Sequence, residues 1–199
     1  MNKKLAMLFG PRGAGKTTIC KMLVERHEMS KDYLDVEDFP VSYASHVKGN
    51  LRVHGDYSKD SRFNGFTDYY SLLGEHLKIE QVRNGTKNFS IAIKESTKRN
   101  ESFIIEQPDY SPSLASTPFY KKIEDCGYEI YFFFINNNKE IQRNRIVKLG
   151  DKHLSNTIDL HDKMFDEYSK HHNNIIVLNT ETPENTLDSV TKIEKYFDL

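Results

Sequence analysis

Apolar residues gather in five short runs, at about 4 to 9, 33 to 36, 103 to 106, 129 to 135 and 174 to 178, and helical patterns fill most of the intervals between them. The first run, Lys4-Leu5-Ala6-Met7-Leu8-Phe9, is continuous rather than alternating, which suits a strand of a parallel sheet buried on both faces. Between the runs, Ile19, Met22 and Leu23, then Leu160, Met164, Phe165 and Tyr168, fall on single helical faces. Alternation of this kind predicts an α/β fold of three layers, α/β/α, around a five-stranded parallel sheet. Two helix starts are marked by an N-cap threonine followed by proline. Thr117-Pro118 opens a helix carrying Phe119, Ile123 and Cys126 and stopped by Gly127, and Thr182-Pro183 opens the last helix, with Leu187, Val190 and Phe197 facing the sheet.

The interval from about 40 to 100 breaks the alternation. It is aromatic, polar and glycine-containing to about Asp68, then helical, with Phe89, Ala92, Ile93 and Ser96 on one face. It reads as an insertion after the second strand. Ligands of such sheets bind beyond the carboxyl ends of the strands, so the insertion is expected to overhang the reacting end of a bound ligand and to shelter a second substrate.

Length and charge narrow the picture. The 199 residues suit a single domain, 1–199, and the net charge of −1 gives no global attraction for nucleic acid or membrane. No run approaches a membrane span, and the short apolar start lacks a leader's cleavage pattern, so a soluble, cytoplasmic protein is expected. Cys20 and Cys126 read as buried free thiols, and the eight histidines show no metal-ligand spacing. Oligomeric state is not encoded in these features.

The chemistry begins where the first strand ends. Gly10-Pro11-Arg12-Gly13-Ala14-Gly15-Lys16-Thr17 fills every fixed position of G-x-x-x-x-G-K-[ST], between a strand and a helix as that pattern requires. Glycines bare the backbone N–H groups to phosphate, and the N-terminus of the helix, through Thr18, adds to the anion site. Lys16 is expected on the β- and γ-phosphates of ATP and the Thr17 hydroxyl on Mg²⁺. Asp35, Glu37 and Asp38 follow the second strand, and one of them is the expected base for an attacking hydroxyl. Glu106 ends the third strand, at a position suited to holding Mg²⁺ or contacting the acceptor, and Asp109 reads as a turn residue. Arg143, Arg145 and Lys148 precede a polar stretch and read as a lid, about 143–156, with Arg145 over the γ-phosphate. Lys48, Arg52, His54 and Arg62, interleaved with Tyr43, Tyr57 and Phe63, are candidates for holding an anionic acceptor and stacking on its base.

With these residues in place the chain resembles the P-loop kinases of the P-loop NTPase superfamily, and most of all the polynucleotide 5′-hydroxyl kinase and zeta-toxin group. Gly10 to Thr18 carries the likeness most specifically; Tyr33 to Phe39, Phe103 to Glu106, Tyr120 to Ile130 and Arg143 to Gly150 are similar in shorter stretches. The resemblance implies an ATP- and Mg²⁺-dependent phosphotransferase acting on a hydroxyl or phosphate of a nucleotide-like or polynucleotide acceptor. It places Glu37 where that group carries its catalytic aspartate, and Lys148 where it carries an arginine. Two alternatives stay open: a nucleoside or nucleoside-monophosphate kinase, and a nucleotide-dependent switch or ATPase without a small acceptor.

Overall fold

The computed structural model describes residues 3–37, 39–58, 65–66, 73–80, 85–106, 115–148 and 154–199. Its strands are β1 (Lys3–Phe9), β2 (Ser30–Leu34), β3 (Tyr43–Lys48), β4 (Leu51–His54), β5 (Ser102–Glu106), β6 (Tyr128–Ile135) and β7 (Ile175–Leu178). The helices are α1 (Lys16–Arg26), α2 (Gly85–Arg99), α3 (Pro118–Asp125), α4 (Lys139–Lys148), α5 (Leu154–His171) and α6 (Pro183–Phe197).

The strands form one sheet in the order β2-β3-β4-β5-β1-β6-β7. Only β3 runs against its neighbours; every other adjacent pair is parallel. Side-chain alternation along β1 splits the core in two. Leu5, Met7 and Phe9 pack beneath α2, α3 and α5, whereas Ala6 and Leu8 pack beneath α1 and α6. The three layers are those expected from the hydrophobic pattern.

The strand count is larger than expected because the start of the insertion joins the sheet instead of overhanging it. Tyr43 to Lys48 and Leu51 to His54 form a hairpin wedged between β2 and β5. Its signal is present in the sequence: Gly49-Asn50 separates two strand-like runs, and Gly49 takes φ 57°, the first-position glycine of a type II′ turn. The two capped helices form as expected, with Thr117 accepting from Phe119 N and Thr182 from Asn185 N. Two smaller expectations are corrected. Leu187 is exposed on α6, and Cys126 is exposed because it lies just past the last turn of α3; Cys20 alone is a buried thiol. No helix among the described residues is long and apolar enough to cross a membrane.

Candidate active site

β1 delivers the chain to Gly10 at the carboxyl edge of the sheet, and the following loop turns back into α1. Gly15, at φ 100°, precedes the helix and has no side chain to cap it. A Cβ there would sit 3.0–3.2 Å from Thr180, so the position demands glycine on two counts. First-turn N–H groups have no intrahelical acceptors, and here they face the concavity of the loop.

The loop's carbonyls are held from outside. Gln142 Nε2 donates to Arg12 O at 2.6 Å, and Thr180 Oγ1 donates to Ala14 O. Asn137 and Thr180 lock together, Asn137 Nδ2 to Thr180 Oγ1 at 2.9 Å and Thr180 N to Asn137 Oδ1 at 2.8 Å. Within the loop Ala14 N donates to Pro11 O at 3.0 Å, and the backbone N–H groups of a glycine-rich turn of this kind form an anion nest. Lys16 Nζ lies on the loop itself, 2.7 Å from Gly10 O and 3.3 Å from Pro11 O.

Glu106 arrives from β5, in register with Leu8 of β1. It is buried, and its Oε2 accepts from Thr17 Oγ1 at 3.3 Å while Oε1 accepts from Tyr57 Oη at 2.9 Å. A hydroxyl and a carboxylate side by side at the mouth of the nest suit two ligands of a hard cation whose remaining ligands are phosphate and water. Among the described residues no group of three or more His, Cys, Asp and Glu is placed to hold a metal by itself.

One cavity is lined by the loop, and a second lies between the end of β6 and α5. The larger, of about 430 Å³, is lined by Gly13, Thr18, Met22, Arg145, Thr180 and Pro183. The smaller, of about 230 Å³, is lined by Asn136, His161, Asp162, Phe165 and Asp166. The His161 ring meets that of Phe134 at a tilt of 40°, and its pKa is lowered to about 4, first by burial and then by the charge of Lys16, which lies within electrostatic reach.

The expected site residues divide. Gly10, Pro11, Arg12, Gly13, Ala14, Gly15, Lys16, Thr17 and Thr18 form the loop and helix start, and Glu106 joins Thr17. Arg145 lines the larger cavity, its guanidinium bound to the Thr180 hydroxyl and to the carbonyls of Thr180 and Glu181. Arg143 and Lys148 are exposed on α4. Asp35 and Glu37 are exposed after β2, and Ser42 donates to the Asp35 carboxylate. The wedged hairpin puts β2 four strand positions from β1, roughly 19 Å across the sheet at about 4.8 Å per strand. Their strand is thus distant from that of the loop, and Asp38 and Asp109 lie outside the described residues.

The residues expected to hold an anionic acceptor are committed elsewhere. Arg52 is buried and paired with Glu101 at 2.6 and 2.8 Å and with Asp32 at 2.8 Å. His54 is buried against Ser96 Oγ at 2.7 Å, and Tyr43 donates to Asn88 within the core. Lys48 borders a cavity with Lys4 and Ser102, at the sheet edge opposite the phosphate loop. Arg62 and Phe63 lie outside the described residues. Tyr57, expected to stack on a base, is buried with its hydroxyl on Glu106. Asn137, Gln142, Thr180 and His161 carry no local motif; each acquires its place through partners distant in sequence.

No protein-family profile matches the chain, and no curated protein matches it by sequence. Solved structures do match. A putative kinase from Chloroflexus aurantiacus superposes with TM-score 0.56 at 12% identity, over 99% of this chain and 97% of that one. The tunicamycin resistance protein of Deinococcus radiodurans gives 0.55 at 11%, over 100% and 97%. Shikimate kinase from Bacteroides thetaiotaomicron gives 0.51 at 13%, over the whole of both chains. At these identities the likeness is one of fold: the chain shares its α/β fold with solved kinases.

Proposed function

We propose that the protein is an ATP- and Mg²⁺-dependent kinase that transfers the γ-phosphate to a hydroxyl of a small acceptor. The observation that carries this reading is the convergence of three parts at one sheet edge: an N–H-lined loop, the Thr17–Glu106 pair, and a cavity of about 430 Å³ beside them. The cavity has the size and lining for a nucleoside, with the planar Arg145 guanidinium and the Pro183 ring available to a base. Lys16 is poised to exchange the loop carbonyls for phosphate oxygens, and the loop N–H groups neutralise the remaining charge. Thr17 and Glu106 would hold Mg²⁺, which when bound supplies charge neutralisation on the transferred group.

A small acceptor is favoured over a polynucleotide because Arg52 and His54 are engaged in the fold and Lys48 lies at the opposite edge. The cavity at His161 suits the acceptor, since it offers carboxylates, an amide and the Phe165 ring near Lys16, a combination that binds polyhydroxylated molecules.

Transfer of label from γ-labelled ATP tests the proposal, across polyols, sugars, hydroxy acids, nucleosides and 5′-hydroxyl oligonucleotides. The wild type should label a small hydroxyl compound, and Lys16→Ala should lower kcat by about 10²- to 10³-fold. Labelling confined to oligonucleotides would overturn the small-acceptor reading. Phosphate release with no acceptor dependence would overturn kinase activity in favour of a nucleotide-driven switch.

A further inference from the structure

The chain leaving β4 folds over the candidate metal site. Gly55 N donates to Ala44 O, and Asp56 and Gly65 exchange backbone hydrogen bonds at 3.2 and 2.9 Å. A Cβ on Gly55 would meet the Gly65 backbone at 2.8–2.9 Å, so glycine at 55 lets the two backbones lie in contact. Gly65 then faces the site: a Cβ there would lie 3.1 Å from Thr17 Oγ1 and 3.4 Å from Glu106 Oε2.

Tyr57 belongs to the same segment and is fixed at both ends. Its N–H donates to His46 Nε2 at 3.1 Å, and its hydroxyl, fully within the core, lies 2.9 Å from Glu106 Oε1 and 2.9 Å from His54 O. A phenol has one proton, and a carboxylate is the stronger of these two acceptors. Glu106 is one methylene longer than an aspartate and has a further torsion to fix before Oε2 can face Thr17. The Tyr57 hydroxyl removes that freedom.

We propose that the segment leaving the inserted hairpin supplies a wall of the metal site, and that Tyr57 is its positioning residue, holding Glu106 Oε1 so that Oε2 is presented beside the Thr17 hydroxyl. The proposal rests on the reading of Thr17 and Glu106 as metal ligands. Outer groups that orient a metal's carboxylate contribute about 10- to 100-fold to metal affinity.

The test uses the full chain and Mn²⁺ as the probe. Mn²⁺ binding to the protein–ATP complex is followed by electron paramagnetic resonance, with ATP affinity in EDTA measured alongside, for wild type, Tyr57→Phe, Gly65→Ala, Glu106→Gln and Thr17→Ala. Tyr57→Phe should weaken Mn²⁺ binding at least tenfold and leave metal-free ATP affinity within about twofold. Gly65→Ala, which keeps the tyrosine and adds a methyl against Thr17, should do the same and decides the matter if Tyr57→Phe does not fold. Wild-type Mn²⁺ affinity in Tyr57→Phe, or in Gly65→Ala where that variant stands in, together with its loss in Glu106→Gln would overturn the inference alone. Unchanged Mn²⁺ affinity in both Glu106→Gln and Thr17→Ala would overturn the underlying metal assignment.

Discussion

Arg145 on α4 and Thr180 after β7 are joined through both guanidinium NH groups: NH1 meets the Thr180 hydroxyl at 3.2 Å, and NH2 meets the Thr180 carbonyl and, at 3.0 Å, that of Glu181. Thr180 also binds the Ala14 carbonyl, so one arginine ties the cavity wall to the phosphate loop. A hydrogen bond to a charged group contributes about 1.5–3 kcal/mol. Arg145→Ala is expected to raise KM for ATP by about tenfold or more, with a smaller change in kcat. Arg145→Lys should recover little, because an ammonium lacks the planar fork. Steady-state kinetics with ATP varied will check this; an unchanged KM would separate Arg145 from nucleotide binding.

The edge position of β2 makes a prediction about the acids that follow it. Loss of a general base costs about 10²- to 10⁴-fold in rate. Asp35→Ala and Glu37→Ala should instead each keep kcat/KM within about twofold, since both side chains are exposed and the hairpin separates them from the loop. A fall of a hundredfold in either variant would bring that acid back into the site.

Arg52 is expected to act on stability and not on catalysis. It is buried, with a two-pronged pair to Glu101 and a third bond to Asp32. Glu101 and Asp32 keep solvent contact, so removing the arginine strands no fully buried charge and costs about 1.5–3 kcal/mol, the worth of hydrogen bonds to charged groups. Urea unfolding of Arg52→Ala should show a loss of that order, while KM for ATP stays at its wild-type value wherever the protein is folded. Arg52→Lys should lose less, keeping the charge but not the parallel bonds.

Acid should destabilise the fold through buried histidines. Burial, helped by the nearby Arg52 charge, lowers the His54 pKa to about 3, and His161 titrates at about 4. In the unfolded chain both return to the ordinary value near 6.5. Above that pH both states are neutral and nothing is lost. Below it the unfolded chain takes up protons that the folded chain refuses, so stability falls with pH down to the folded values, by up to about 1.4 kcal/mol per pH unit per histidine. Unfolding free energy should therefore be lower at pH 5.5 than at pH 7.5. His54→Gln, which retains a donor for Ser96 and does not titrate, should flatten the profile by about 1.4 kcal/mol at pH 5.5. An identical slope in that variant would contradict the assignment.

What the sequence by itself determined is what short-range chemistry encodes. Glycine spacing from 10 to 15, the Lys16-Thr17 pair, the continuous apolar β1, and the Thr-Pro helix starts act within a few residues of themselves, so the loop, its strand and helix, and the three-layer class were legible. Glu106 was legible too, as a carboxylate ending an apolar run. Only the tertiary structure decided which strands are neighbours, because hydrogen-bonding edges of parallel strands carry no local mark of their partner. That choice put the hairpin between β2 and β5, moved Asp35 and Glu37 to the edge, turned Arg52 and His54 into structural groups, and brought Tyr57 to Glu106. It also recruited Asn137, Gln142 and Thr180 to the loop, polar residues whose sequence neighbours give no reason for their burial. The phosphate loop is a local device; the site around it is assembled by long-range pairing.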